Sequence, residues 1–193
     1  METLARATVS MTEAEVFQLE RKRQGAATEA DYLRIITQKT ASFMSACCRI
    51  GAFLGEATPW EIEALTRYGL GVGVAFQIMD DSLDFVADQV RLGKAVGADL
   101  REGKRTLPLI AALARAGEPE QERIQSILQS PALGDHEIEA IRRFVVENEG
   151  VEYALGQAHQ YGQAAKNDLS PFSDCEEKEI LSLIADYVVD RDR

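Results

Sequence analysis

Apolar residues recur at helical spacing along almost the whole chain, and no convincing stretch alternates apolar and polar with a period of two. Leu4, Ala7, Met11, Val16 and Leu19 mark a first helix over about residues 3–23. "TEAD" at residues 28–31 is a capping-type start for a second, because a Thr hydroxyl can accept from an amide three residues on while the acid there reaches back. "TPWE" at residues 58–61 starts a third, with Thr58 as N-cap and Pro59 at the first helical position, where no N–H is needed. That helix carries Ile62, Leu65, Val72, Phe76, Met79 and Leu83 on one face. Gly69, Gly71 and Gly73 weaken it locally, and they read as close packing against a neighbouring helix sooner than as backbone approach to a ligand. Residues 86–104 read as a loop. Further helices are expected over 107–116, 119–130, 136–148, 151–167 and 174–189, with no repeat and no low-complexity linker. The pattern predicts one all-α packing of roughly antiparallel helices.

Composition narrows the partners. The chain has 193 residues and a formal net charge of -11, and its Lys and Arg form no long basic run. That argues against nucleic acid as the main partner. The longest nearly apolar run, residues 69–79, is too short for a transmembrane segment. No basic start followed by a hydrophobic segment marks a secretion signal. Cys47, Cys48 and Cys175 lack metal-ligand spacing and read as buried, reduced thiols of a cytoplasmic protein.

The chemistry concentrates in "FQIMDDSLD" at residues 76–84. Asp80 and Asp84 are four apart, so on a helix they share a face at about 5–6 Å, with Asp81 beside them and Gln77 one turn before. Like charges so placed destabilise a helix unless something compensates. A solvated acidic face is the plain alternative, but Met79, Leu83 and Phe85 crowd the cluster. Mg²⁺ suits it, taking one or two carboxylates and completing its octahedron with water and substrate phosphate. An EF-hand is excluded by the missing loop pattern. Two glycine–lysine pairs follow, Gly93–Lys94 and Gly103–Lys104. Glycine lets a loop approach a ligand, and lysine offers a mobile point charge for a phosphate. Upstream, Ile35, Ile36, Phe43, Ala46 and Cys47 form an inward stripe on which Lys39 falls, beside Thr40. Such a lysine either meets a partner inside or snorkels to the rim.

"KTASF" at residues 39–43, "FQIMDDSLD" at 76–84, "GKAVGADLREGKRTLPLI" at 93–110 and "YVVDRDR" at 187–193 together resemble the trans-type polyprenyl diphosphate synthases, most closely the octaprenyl and heptaprenyl group. The resemblance implies an all-α isoprenoid synthase fold, present here in part, and a Mg²⁺-dependent condensation of isopentenyl diphosphate with an allylic prenyl diphosphate by a homodimeric enzyme. It implies a metal set of Asp80, Asp81 and Asp84, with Asp80 and Asp84 meeting Mg²⁺ directly or through water and Asp81 supporting them. The same resemblance implies that Lys39, Lys94 and Lys104 bind the allylic diphosphate, and that Thr40 and Gln77, with Lys39, serve the reacting centre by placing oxygens near the cation.

The family carries two facing aspartate-rich motifs, and only one is found here. Residues 1–193 are therefore expected to be the C-terminal part of the synthase domain, without the helices that bear the first motif and most of the isopentenyl site. Leu4, Met11, Val16 and residues 69–74 are expected to form an uncovered apolar surface. A short non-catalytic or regulatory subunit and a class I terpene cyclase relative are the competing readings, the two glycine–lysine pairs speaking against the cyclase.

Overall fold

The computed structural model describes residues 2–25, 27–86, 97–130 and 132–190. Among these lie ten α-helices and one π-helical turn, with no strand. In chain order they are α1 (Glu2–Gln24), α2 (Glu29–Ile36), the π turn (Thr37–Ala41), α3 (Ser42–Leu54), α4 (Pro59–Val86), α5 (Ala98–Arg101), α6 (Leu107–Arg115), α7 (Glu118–Leu128), α8 (Asp135–Glu147), α9 (Gly150–Asp168) and α10 (Glu176–Asp190).

The start signals act as the sequence predicts. Thr28 Oγ1 accepts from the Asp31 amide at 3.1 Å, and Asp31 Oδ2 accepts from the Thr28 amide at 3.1 Å, a reciprocal capping box. Glu61 reaches back to the Thr58 amide at 2.7 Å. The 86–104 region is not wholly loop: Ala98–Arg101 form a short helix behind Gly97, whose φ of +77° suits glycine.

The 28-residue α4 is the axis of the fold, lying between α3 on one side and α9 on the other. Its Tyr68, Val72, Ala75, Ile78 and Met79 meet Ala154, Ala158 and Ala165 of α9 and Ala185 and Val188 of α10 in one core. A second core gathers Phe85, Leu100, Leu109, Ile124, Ile141 and Phe144 around the far end of α4. Small residues on α9 let it approach α4 closely.

Three expectations change. The π turn holds one more residue than an α turn, so the face of α3 is rotated relative to a continuous helix. Ala41, Ser45 and Ala46 are buried, while Phe43 and Cys47 of the expected stripe are exposed. The thiols are free but not uniformly buried, since Cys47 and Cys175 are exposed and Cys48 half-buried. Residues 69–74 are covered, with Gly69, Val72, Gly73 and Val74 buried. Leu4, Met11 and Val16 do lie open on α1, joined by Val9 and Leu19.

Candidate active site

α1, α2, the π turn, α4 and the segment before α6 enclose a cleft of about 430 Å³. Arg21, Lys22, Lys39, Lys104 and Arg105 line it, against Glu15, Asp81 and Glu102. Cations are in surplus here although the whole chain carries -11.

One wall is a chain of hydrogen bonds. Tyr32 Oη donates to Asp81 Oδ2 at 2.7 Å, Gln77 Nε2 donates to Asp81 Oδ1 at 2.9 Å, and Thr40 Oγ1 donates to Gln77 Oε1 at 3.0 Å. Asp81 and Tyr32 are buried. Burial pushes the Asp81 carboxyl up to about 7, even though the bonds from Tyr32 and Gln77 favour the carboxylate. Burial and the adjacent Asp81 push the Tyr32 phenol well above its usual range, so it stays a donor.

The π turn puts Lys39 and Thr40 on the same cleft wall. Lys39 is partly exposed and paired: its Nζ lies 2.6 Å from Glu15 Oε1 and donates to Gln18 Oε1 at 3.2 Å, both on α1. Lys104 Nζ is held by Asp99 Oδ1 and Glu102 Oε2, each at 2.7 Å. Burial opposes its charge, but these two carboxylates outweigh burial and raise its pKa above the ordinary lysine range. Arg105 differs, since burial lowers its pKa and no carboxylate offsets this. Lys94 lies outside the described residues.

The aspartates take three different environments. Asp80 is exposed. Asp81 has both oxygens engaged inside, by Tyr32 and Gln77. Asp84 is half-buried and accepts from the amides of Ala98 at 3.1 Å and Asp99 at 3.0 Å, so it caps α5. Burial raises its pKa, against the pull of those amides. Arg142 of α8 clamps this end of α4, donating from Nε and Nη2 to Phe85 O at 2.9 and 2.7 Å.

Among the described residues no three acid, imidazole or thiol groups form a ready metal cage. Hard oxygen donors on one helix, beside a cationic cleft, nevertheless fit Mg²⁺, which needs only one or two carboxylates and completes its shell with water and phosphate oxygens. The structure thus brings together Lys39, Thr40, Gln77, Asp81 and Lys104. Tyr32, Glu15, Gln18, Asp99 and Arg142 are additional partners that the sequence does not announce. The only available signal was polar residues recurring on helix faces that point inward.

Residues 1–145 match the polyprenyl synthetase family. The chain is 42% identical over 166 residues to the short chain isoprenyl diphosphate synthase of Methanothermobacter thermautotrophicus, covering 86% of this chain and 50% of that protein. It is 35% identical to the octaprenyl diphosphate synthase of Escherichia coli over 193 residues, all of this chain and 59% of that one. The decaprenyl diphosphate synthase structure from Rhodobacter capsulatus superposes with a TM-score of 0.91 at 35% identity, covering 100% of this chain and 59% of that one. A polyprenyl synthase from Caulobacter crescentus, complexed with calcium and isoprenyl diphosphate, superposes at 0.90 and 36% identity, covering 100% and 58%. The chain spans about half the length of the curated relatives it matches. On the family match over residues 1–145, the identities to these relatives and the shared helical fold, the chain belongs to the polyprenyl synthetase family.

Proposed function

We propose that this chain forms the second-aspartate half of a Mg²⁺-dependent prenyl-transfer site. There an allylic diphosphate ionises, isopentenyl diphosphate attacks the resulting cation, and a proton is lost. The observation that carries this reading is the convergence on one cleft of Lys39, Thr40, Gln77, Asp81 and Lys104, from segments far apart in sequence.

As the C–O bond breaks, negative charge gathers on the leaving diphosphate, and the Lys39 and Lys104 ammonium groups are placed to stabilise it. Glu15 and the Asp99–Glu102 pair hold those ammonium groups at the cleft until a diphosphate competes for them. Lys94 joins them as a third ligand in this reading. Asp80 and Asp84 would hold Mg²⁺, with Asp81 as their support. The bound metal supplies Lewis-acid stabilisation of the leaving group. Thr40 and Gln77 present oxygens to the reacting carbon, and enclosure of the cleft keeps water from the cation.

The first aspartate-rich motif and most of the isopentenyl site come, on this reading, from sequence outside these residues. The half-length coverage of the relatives supports this. A cytoplasmic homodimer is part of the same reading. It is supported by the free thiols and by the open apolar face of α1 at Leu4, Val9, Met11, Val16 and Leu19.

Thermal denaturation tests the site directly. Mg²⁺ with inorganic diphosphate should raise the melting temperature, because a ligand of the native state alone stabilises it. Mg²⁺ by itself should do little, and Asp80→Asn should abolish the shift. An undiminished shift in Asp80→Asn would place the metal elsewhere.

A further inference from the structure

The chain of bonds from Tyr32 to Thr40 has a direction. Tyr32 Oη and Gln77 Nε2 both donate to Asp81, so each points its hydrogen at that carboxyl group. Gln77 then has only its carbonyl oxygen left to face Thr40, and the Thr40 hydrogen is spent on it at 3.0 Å. What Thr40 Oγ1 has left for the cleft is lone pairs. A hydroxyl fixed in this sense repels a phosphate oxygen and attracts an electron-poor centre.

Tyr32 anchors the far end. It is 4% exposed, sits on α2 behind Asp81, and makes the shortest bond of the three at 2.7 Å. Without its phenol, one Asp81 oxygen loses its donor inside the protein. The Asp81 carboxyl group is then free to turn, and the Gln77 amide is no longer held at both ends. The Thr40 hydroxyl could swing its hydrogen into the cleft.

We propose that Tyr32 is a positioning residue that fixes the polarity of the Asp81–Gln77–Thr40 chain, so that Thr40 shows the cleft an acceptor and never a donor. The cationic carbon of the substrate, and not its diphosphate, is the group that this wall receives. The inference rests on the cleft being a prenyl-transfer site. It adds a residue that acts on the reacting atoms through Asp81, Gln77 and Thr40.

The test uses binding and needs no turnover. Two diphosphate esters are compared by calorimetry in Mg²⁺: one with a trialkylammonium nitrogen at the allylic position, the other its neutral carbon isostere. Inorganic diphosphate is the third ligand. The 193-residue chain should prefer the cationic ester by about tenfold, the scale of one hydrogen-bond acceptor facing a charge. Tyr32→Phe should lose most of that preference while keeping its affinity for inorganic diphosphate. Thr40→Ser should retain the preference and Thr40→Val should lose it. If Tyr32→Phe shows no cooperative melting, Gln77→Met breaks the chain one step nearer the cleft and must lose the preference too. A preference unchanged in Tyr32→Phe or Gln77→Met overturns the proposal, as does its absence from the unmutated chain. If the unmutated chain binds no diphosphate at all, the prenyl-transfer reading falls and takes this inference with it.

Discussion

Gly69, Gly73, Gln77 and Asp81 follow one another at intervals of four, so they share one stripe of α4 and face one neighbour, the α2–α3 segment. At the Gly69 and Gly73 end the stripe is bare. A Cβ on Gly73 would lie 2.6 Å from Ala41 Cα, and one on Gly69 2.7 Å from Cys48 Sγ and 2.8 Å from Met44 O. At the other end the same stripe carries polar groups, Gln77 against Thr40 and Asp81 against Tyr32. One end holds the helices together by contact of backbones, the other by partnered polar groups. The bare end has no chemistry of its own, but it fixes the separation at which Thr40 can reach Gln77. The glycines are packing residues in service of a site one turn away.

The largest effects should come from the polar end. In a longer protein that carries both aspartate motifs, Asp80→Ala or Lys94→Ala should each lower turnover by about 10²–10³, the scale seen when a charge-stabilising group is removed. The 193-residue chain alone should give no useful elongation, because the two reactants are not positioned together. Radiolabelled isopentenyl diphosphate with farnesyl diphosphate and Mg²⁺, followed by extraction of lipid product, measures both. Robust product from the chain alone would mean that some other group replaces the first motif.

Next in size is the bare end. Gly73→Ala should destabilise the chain by about 1–3 kcal/mol, as overpacking of a filled interface does. Because Ala41 adjoins Thr40, the same variant should also weaken Mg²⁺–diphosphate binding. Denaturant unfolding and the ligand-induced melting shift report the two effects. A stable Gly73→Ala with an intact shift would break the link drawn between the ends.

A smaller effect concerns pH. With Asp81 pushed up to about 7 from an ordinary 3.8, the native state keeps a proton that the unfolded chain has released. Stability contributed by this group is present below about pH 4 and is lost as pH rises to about 7. Burial of Asp84 adds a shift of the same sign. Melting temperatures across that range in metal-free buffer should fall for the unmutated chain, and Asp81→Asn should flatten the slope. An equal slope in both would assign the dependence to other groups.

The smallest change should be favourable. Gly51 on α3 and Gly156 on α9 have open space where a Cβ would go. Gly51→Ala or Gly156→Ala should stabilise by about 0.5–1 kcal/mol, the helix-interior preference for alanine. The opposite sign from Gly73→Ala would show that position, and not glycine as such, decides the outcome.

The motifs speak for shared chemistry and not for product length. Relatives named for short-chain, geranylgeranyl, octaprenyl and nonaprenyl products match at 31–42% identity. The family match separates this chain from the terpene cyclase alternative.

Helical spacing, caps and local composition fixed the elements, because each depends on residues within one or two turns. The Thr28–Asp31 capping box and the Pro59 start are of this kind, and so is the placing of Asp80 and Asp84 on one helix. The plain reading of Gly69 and Gly73 as packing positions was also available from their spacing. The π turn was not, because one extra residue in a turn leaves no local signature in "TQKTA", yet it rotated α3 and exposed Phe43 and Cys47. The pairings of Tyr32 with Asp81, of Lys39 with Glu15 and of Arg142 with Phe85 O join residues 24 to 57 positions apart. Only tertiary structure decides these, since a buried polar group takes whichever partner the packing of other helices brings within reach. The sequence by itself placed three aspartates on α4, and the fold decided which of them is exposed, which is buried and which caps a helix.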